Sequence, residues 1–146
     1  MSDATLYRWQ GDFEKANALY EELTNDSNFS YFPKAFQVSI VSAFANNHVV
    51  LKQFNEAIKI INERVLPINK NLSEMPSGWT TIPVDKLAYP YYVLALSYLG
   101  KGERNLALTS YQEMKSIREQ SVQAAKANNY NDFSAFLTSD IPELEK

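Results

Sequence analysis

The residue types that most often carry out chemistry are scarce in this chain of 146 residues, which has one histidine and no cysteine. Without cysteine there is neither a disulfide framework nor a thiolate metal site. The single histidine, His48, has no titratable partner at a spacing that indicates a catalytic pair or a set of metal ligands. We therefore interpret His48 as a packing residue near a helix end and predict no metal site.

Two further groups of residues could in principle support catalysis. Glu21, Glu22 and Asp26 are close in sequence, but paired carboxylates act as acid and base only where a cleft shifts their pKa values. They fall on the polar side of a predicted helix end, which favours a solvated surface. The segment Gly100–Gly102 is too short for a phosphate-binding loop. We predict that the chain is not an enzyme and has no cofactor.

Three tyrosines around one proline form the most distinctive group of candidate binding residues. Tyr89, Tyr91 and Tyr92 flank Pro90, and aromatic side chains on a rigid element offer a large contact area at low entropic cost. Two interpretations stay open at this point. The three rings either pack against the body of the protein or line a groove that binds a peptide.

Composition and charge limit the class of partner. The formal net charge is −3, and the acidic surplus lies from Asp132 onward, so the rest of the chain is neutral and lacks the basic clusters that bind nucleic acid. No apolar stretch reaches the roughly 18 residues of a membrane span, and the N-terminal residues do not resemble a signal peptide. We expect a cytoplasmic protein; a periplasmic or envelope-associated location is the alternative if a signal peptide was removed.

Helical periodicity predicts that the fold is all-α. Apolar residues recur at spacings of three and four along most of the chain. The main predicted helices span roughly residues 13–23, 33–48, 54–65, 90–99 and 103–126. Pro67 is expected to end the third of them, because proline disfavours the α conformation in the preceding residue. Residues 67–89 are then predicted to form a long and mobile loop.

A pattern of five positions recurs along the chain with steps of three, four, five and four residues. The last copy consists of Ala95, Tyr98, Gly102, Ala107 and Tyr111, and the first of Ala4, Tyr7, Gly11, Ala16 and Tyr20. A middle copy has the same steps in Ala45, His48, Lys52, Ala57 and Ile61. A small alanine lets two helices cross closely, and glycine permits a tight turn. We therefore expect Ala16, Ala57 and Ala107 to be buried.

On these residues the chain resembles the tetratricopeptide repeat (TPR) family, whose period is about 34 residues. Tyr92–Tyr111 is similar to a full repeat unit and Gly11–Tyr20 to its second helix, while Phe54–Ile58 supports the middle copy. The turn positions here are 41 and 50 residues apart, so the array is called TPR-like. The resemblance implies a superhelix of antiparallel helix pairs, with about three repeats in a single domain over residues 1–146.

The resemblance also implies where a partner binds. The first helix of each pair would line a concave face, with Tyr91 turned towards the core. The predicted partner-binding residues are Ser42, Asn46, Tyr89, Tyr92 and Leu96. The implied function is a non-catalytic protein–protein interaction module, a scaffold or adaptor, that binds a protein or peptide segment. Two alternatives stay open: a regulatory sensor for a small ligand or signalling peptide, and an accessory subunit of a cell-envelope complex.

The end of the chain is predicted to cover the last helix pair. Stacked repeats expose an apolar face at their last unit, and Phe133, Phe136 and Leu137 could form a covering helix. The acidic side chains of the tail, residues 138–146, are expected to stay in solvent.

Overall fold

A computed structural model describes residues 11–72, 75–77, 80–82, 87–127 and 140–145. The fold over these ranges is helical, as predicted, with one small ribbon that was not predicted. The α-helices are α1 (Phe13–Asn25), α2 (Lys34–Val50), α3 (Phe54–Ile60), α4 (Leu66–Asn69), α5 (Tyr89–Gly100) and α6 (Arg104–Ala127). The strands β1 (Met75–Ser77) and β2 (Thr80–Ile82) pair antiparallel. Short 3-10 helices cover Ser27–Tyr31 and Pro142–Leu144.

The helices pack as a series of neighbours. Helix α2 contacts α1, α3 and α5, while α5 contacts α2, α3 and α6. The contact between α5 and α6 is the most extensive of all. The larger of two buried apolar clusters lies mainly between α1, α2, α3 and α5, and the smaller one joins α5, α6 and the C-terminal segment.

The three turn residues of the repeated pattern share one backbone conformation. Gly11, Lys52 and Gly102 have φ angles of 82°, 61° and 81°. Across the described part of the chain they are the only residues with positive φ. This left-handed region suits glycine and is unfavourable for other residues. Lys52 therefore occupies a backbone position that the other two copies fill with glycine.

The turns after α2 and α5 are closed by the same two hydrogen bonds. The N–H of Gln53 donates to the carbonyl of His48 at 2.7 Å, and the N–H of Lys52 donates to Val49 at 2.9 Å. In the last copy the corresponding bonds run from Glu103 to Tyr98 at 2.9 Å and from Gly102 to Leu99 at 3.0 Å. Both are Schellman motifs, which satisfy the last carbonyls of a helix.

The alanine that follows each turn by five residues is fully buried, as predicted. Ala16, Ala57 and Ala107 all have 0% exposure. Each backbone N–H donates to the carbonyl four residues earlier, at 3.0 to 3.1 Å, and so belongs to the first turn of its helix. A small side chain at these positions allows neighbouring helices to approach closely.

The prediction that Pro67 ends a helix is wrong. The chain stays helical as far as Asn69, because Ile61–Val65 forms a π-helical turn between α3 and α4. The wider turn starts a new helical segment, and Pro67 lies in the first turn of α4. A proline is tolerated there because its missing N–H would have no intrahelical partner.

The predicted loop 67–89 is shorter than expected and is closed at its base. Its first residues belong to α4 and its last to α5. The buried Asn69 donates from Nδ2 to the carbonyl of Leu87 at 3.0 Å, and its Oδ1 accepts from the N–H of Leu87 at 2.9 Å. The ribbon lies between these residues, and β1 lies against α2. The loop's residues 73–74, 78–79 and 83–86 lie outside the described ranges.

The C-terminal segment Asp140–Glu145 packs on the last helix pair. Ile141 and Leu144 are buried in the smaller apolar cluster, while the acidic side chains between and beside them stay exposed, as predicted. The predicted covering residues Phe133, Phe136 and Leu137 lie outside the described residues.

Candidate functional site

The five predicted binding residues lie on α2 and α5, two helices that pack side by side. Asn46, Tyr89, Tyr92 and Leu96 are half-buried and so remain partly open to a partner. Ser42 is fully buried, and its hydroxyl has no hydrogen-bond partner. Helix α2 is covered by α1, α3, α5 and β1, which leaves little of its surface exposed. Ser42 is therefore removed from the candidate surface.

The structure brings two of the candidate tyrosines together. The ring centroids of Tyr89 and Tyr92 are 6.4 Å apart, with an interplanar angle of 47°, within the range of favourable aromatic pairs. Burial raises the pKa of Tyr92, and the nearby Tyr89 raises it further. Both causes keep the Tyr92 hydroxyl neutral, so it can donate a hydrogen bond next to an apolar ring surface.

The other residues of α5 connect this pair to the body of the protein. Tyr91 packs against both apolar clusters, in line with its predicted orientation towards the core. Tyr92 and Leu96 pack against the smaller cluster, and Tyr89 packs against the larger one. The aromatic pair is thus anchored on two sides and presents a rigid, partly exposed apolar surface.

His48 is a packing residue in the structure. Its Nδ1 lies 2.6 Å from Oε1 of Gln53, and its ring centroid is 5.1 Å from that of Phe44. Phe44 also contacts Tyr20, with centroids 6.2 Å apart, and the guanidinium of Arg64 lies 5.8 Å from its ring centroid. The histidine is therefore part of an aromatic stack between α1, α2 and the π-helical turn.

Two of the three acidic residues around the end of α1, Glu21 and Asp26, make local hydrogen bonds. Glu21 accepts a hydrogen bond from the side chain of Asn25 at 2.9 Å. Asp26 accepts one from the N–H of Asn28 at 2.8 Å and caps the following 3-10 helix. Over the described ranges, no group of three or more histidine, aspartate or glutamate side chains is placed to hold a metal ion.

One exposed aromatic group was not predicted from the sequence. Tyr31, Phe32 and Phe36 surround the start of α2 and are 84%, 41% and 48% exposed. Phe32 also packs edge-on against Phe29, with centroids 5.6 Å apart. The density of aromatic residues between positions 29 and 36 is the sequence signal that could have revealed this second candidate surface.

Comparison with protein-family models, with curated proteins and with solved structures finds no match to the chain. None of the helices within the described ranges is long and apolar enough to cross a membrane.

Proposed function

We propose that the chain is a TPR-like array of helix pairs that acts as a non-catalytic protein-interaction module. The repeated turn is the observation that carries this proposal. Gly11, Lys52 and Gly102 share a left-handed backbone, and each is followed five residues later by a fully buried alanine. Unrelated helix connections would have no reason to share both features at the same steps.

The order of helix packing supports the same arrangement. In a stacked array, the first helix of each pair contacts its own partner helix and both helices of the preceding pair. Helix α5 contacts α6, α2 and α3, which fits a last pair α5–α6 on a middle pair α2–α3. Helix α1, which contacts α2, then takes the place of the second helix of the first pair.

The proposed binding surface consists of Asn46 on α2 together with Tyr89, Tyr92 and Leu96 on α5. The aromatic pair supplies apolar contact area, and aromatic residues dominate the energy of many protein interfaces. Asn46 adds a hydrogen-bonding group at the edge. The surface has no charged member, so we expect binding of a protein segment to depend weakly on salt concentration.

A site-specific crosslinking experiment tests this proposal. A photoreactive residue replaces Tyr89 or Asn46 in the full chain, and adducts formed in native lysate are identified by mass spectrometry. Matched control positions are Tyr31, which is exposed at the start of α2, and Asn62, which is exposed on the π-helical turn. We expect the same partner to crosslink at Tyr89 and at Asn46, and not at Asn62.

Two results would speak against the proposed surface. Equal yields of one adduct at Asn46 and Asn62 would indicate contact without a defined site. A partner that crosslinks at Tyr31 alone would move the interaction to the exposed aromatic group around the start of α2.

A further inference from the structure

The C-terminal segment Asp140–Glu145 lies on the last helix pair as a bound peptide would. Ile141 and Leu144 are 2% and 5% exposed, whereas Asp140, Glu143 and Glu145 are exposed. The 3-10 helix Pro142–Leu144 explains this division, because residues three apart lie on the same side of such a helix. The segment therefore presents two aliphatic anchors on one side and its acids on the other.

The anchors enter an apolar surface that α5 and α6 form together. The residues of this surface are Ala95, Ala107, Tyr111 and Met114. Its two alanines belong to the repeated pattern and are fully buried. A stacked array exposes an apolar face after its last pair, so a covering segment removes that face from water.

The hydroxyl of Tyr111 holds the segment near both of its ends. It accepts a hydrogen bond from the N–H of Ile141 at 3.2 Å and donates one to Oε1 of Glu145 at 2.5 Å. Burial raises the pKa of Tyr111, and its hydrogen bond to Glu145 raises it further. Both favour the neutral hydroxyl, which is the form that donates to the carboxylate.

Three cations of α6 match the polar groups of the segment. Arg118 Nη1 lies 2.9 Å from Oδ1 of Asp140, and Lys115 Nζ lies 3.3 Å from Oε1 of Glu145. Arg104 Nη1 donates to the carbonyl of Glu143 at 3.0 Å. The side chain of Arg118 is 17% exposed and that of Asp140 is 65% exposed, so solvent still screens this pair from the Asp140 side. A segment docked in another register or orientation would lose these pairs. The cations therefore favour one register and one orientation of the segment.

We propose that this face of α5 and α6 is a docking site for an acidic segment of a partner protein. The partner segment carries two aliphatic residues three positions apart. The chain's own segment Asp140–Glu145 occupies the site until the partner segment displaces it. The partner segment is expected to be acidic because the cations Arg104, Lys115 and Arg118 line the site. Within the described segment, two apolar side chains, Ile141 and Leu144, enter this surface. A longer segment of the same chemistry that buries more apolar area would therefore displace the chain's own segment.

The polar contacts described for the docked segment come from α6, which carries no member of the proposed partner surface. Tyr92 and Leu96 of that surface pack against the same apolar cluster as Ile141 and Leu144, so the two surfaces adjoin. The docking site does not rest on the proposed function, and Arg118→Glu tests it without changing Asn46 or Tyr89.

The test uses a fluorescent peptide with the chain's own residues 138–146. Its binding is measured by anisotropy on the wild-type full chain and on the full-length double variant Ile141→Ala/Leu144→Ala. We expect the peptide to bind the double variant at least tenfold more tightly, because the resident segment no longer competes. Adding Arg118→Glu should reduce this binding at least tenfold, and adding Lys34→Glu, an exposed position on α2, should not change it.

Further variants and controls keep the outcome decisive. A peptide with both aliphatic anchors changed to alanine should not bind. If the double variant does not fold, Asp140→Arg/Glu145→Arg changes exposed side chains only and should release the segment through repulsion. Equal affinity for wild type and a folded released variant, or binding unaffected by Arg118→Glu, would overturn the proposal. Dimers of the wild type that the double variant abolishes would overturn the assigned occupant and identify a second copy of this chain instead.

Discussion

Replacing Lys52 by glycine should stabilise the protein, although lysine is the better helix-forming residue. Lys52 has a φ angle of 61°, and a residue with a Cβ atom in this region costs about 1–2 kcal/mol relative to glycine. Glycine loses more backbone entropy on folding, which offsets roughly 0.4–1 kcal/mol. We therefore expect Lys52→Gly to raise the free energy of unfolding by about 0.5–1 kcal/mol.

The reverse change in the last copy should have the opposite sign. A Cβ atom at Gly102 would meet nothing within 4 Å, so the effect of Gly102→Ala comes from the backbone alone. We expect a loss of about 1 kcal/mol, because the φ angle of 81° stays unfavourable for alanine. For a domain of this size, each kcal/mol corresponds to a shift in Tm of about 2–4 °C.

The assay is thermal and urea unfolding followed by circular dichroism, with Lys101→Gly as the matched control. Lys101 is the residue before the left-handed Gly102, and its own φ angle is −81°, so glycine there adds flexibility without relieving strain. Lys52→Gly should raise Tm while Lys101→Gly lowers it. If both changes lowered Tm equally, the left-handed turn would not be the shared feature of the copies.

Three further predictions concern burial, a closing contact and the docked segment. Asn69→Ala should lower the free energy of unfolding by about 2–3 kcal/mol in urea titrations. Among the described contacts, the Asn69 side chain is the one that bonds both the N–H and the carbonyl of the buried Leu87, and alanine would leave both groups without a partner. Ala107 is fully buried, so Ala107→Phe should overpack the contact between α5 and α6 and lower the free energy of unfolding by about 1–3 kcal/mol. Its Tm should be lower than that of the control variant Ala107→Gly. Hydrogen bonding to Tyr111 lowers the pKa of Glu145 in the folded protein. The carboxylate therefore stabilises the folded state at pH values above the pKa of the unfolded chain, about 4.3. This stabilisation is lost as the pH falls through the lowered pKa of the folded state. The difference in Tm between wild type and Glu145→Gln should therefore disappear at acidic pH, and a difference that persisted there would contradict this assignment.

Local patterns predicted the helices and their turns because the signals lie within a few residues of one another. The apolar spacing of each helix and the glycines at positions 11 and 102 are of this kind. Lys52 carries no turn signal of its own, and only its register with the other copies identified it. The fully buried alanines followed from the same register.

Features that depend on distant residues could not be predicted in this way. Pro67 is accommodated because buried residues of Ile61–Val65 form a π-helical turn, which no local pattern indicates. Asn69 meets Leu87 across 18 residues, and Tyr111 meets Glu145 across 34. The TPR resemblance placed Ser42 on the concave face, but α2 is covered on several sides, including by β1.

The most direct test of the proposed function is hydrogen exchange of the full chain, with and without the partner segment recovered by crosslinking at Tyr89. We predict that binding slows amide exchange in α2 and in the first turns of α5, around Tyr89–Val93. Exchange in Ser27–Tyr31 should stay unchanged. Protection confined to Ser27–Tyr31, or the absence of protection in α5, would contradict a partner-binding surface formed by α2 and α5.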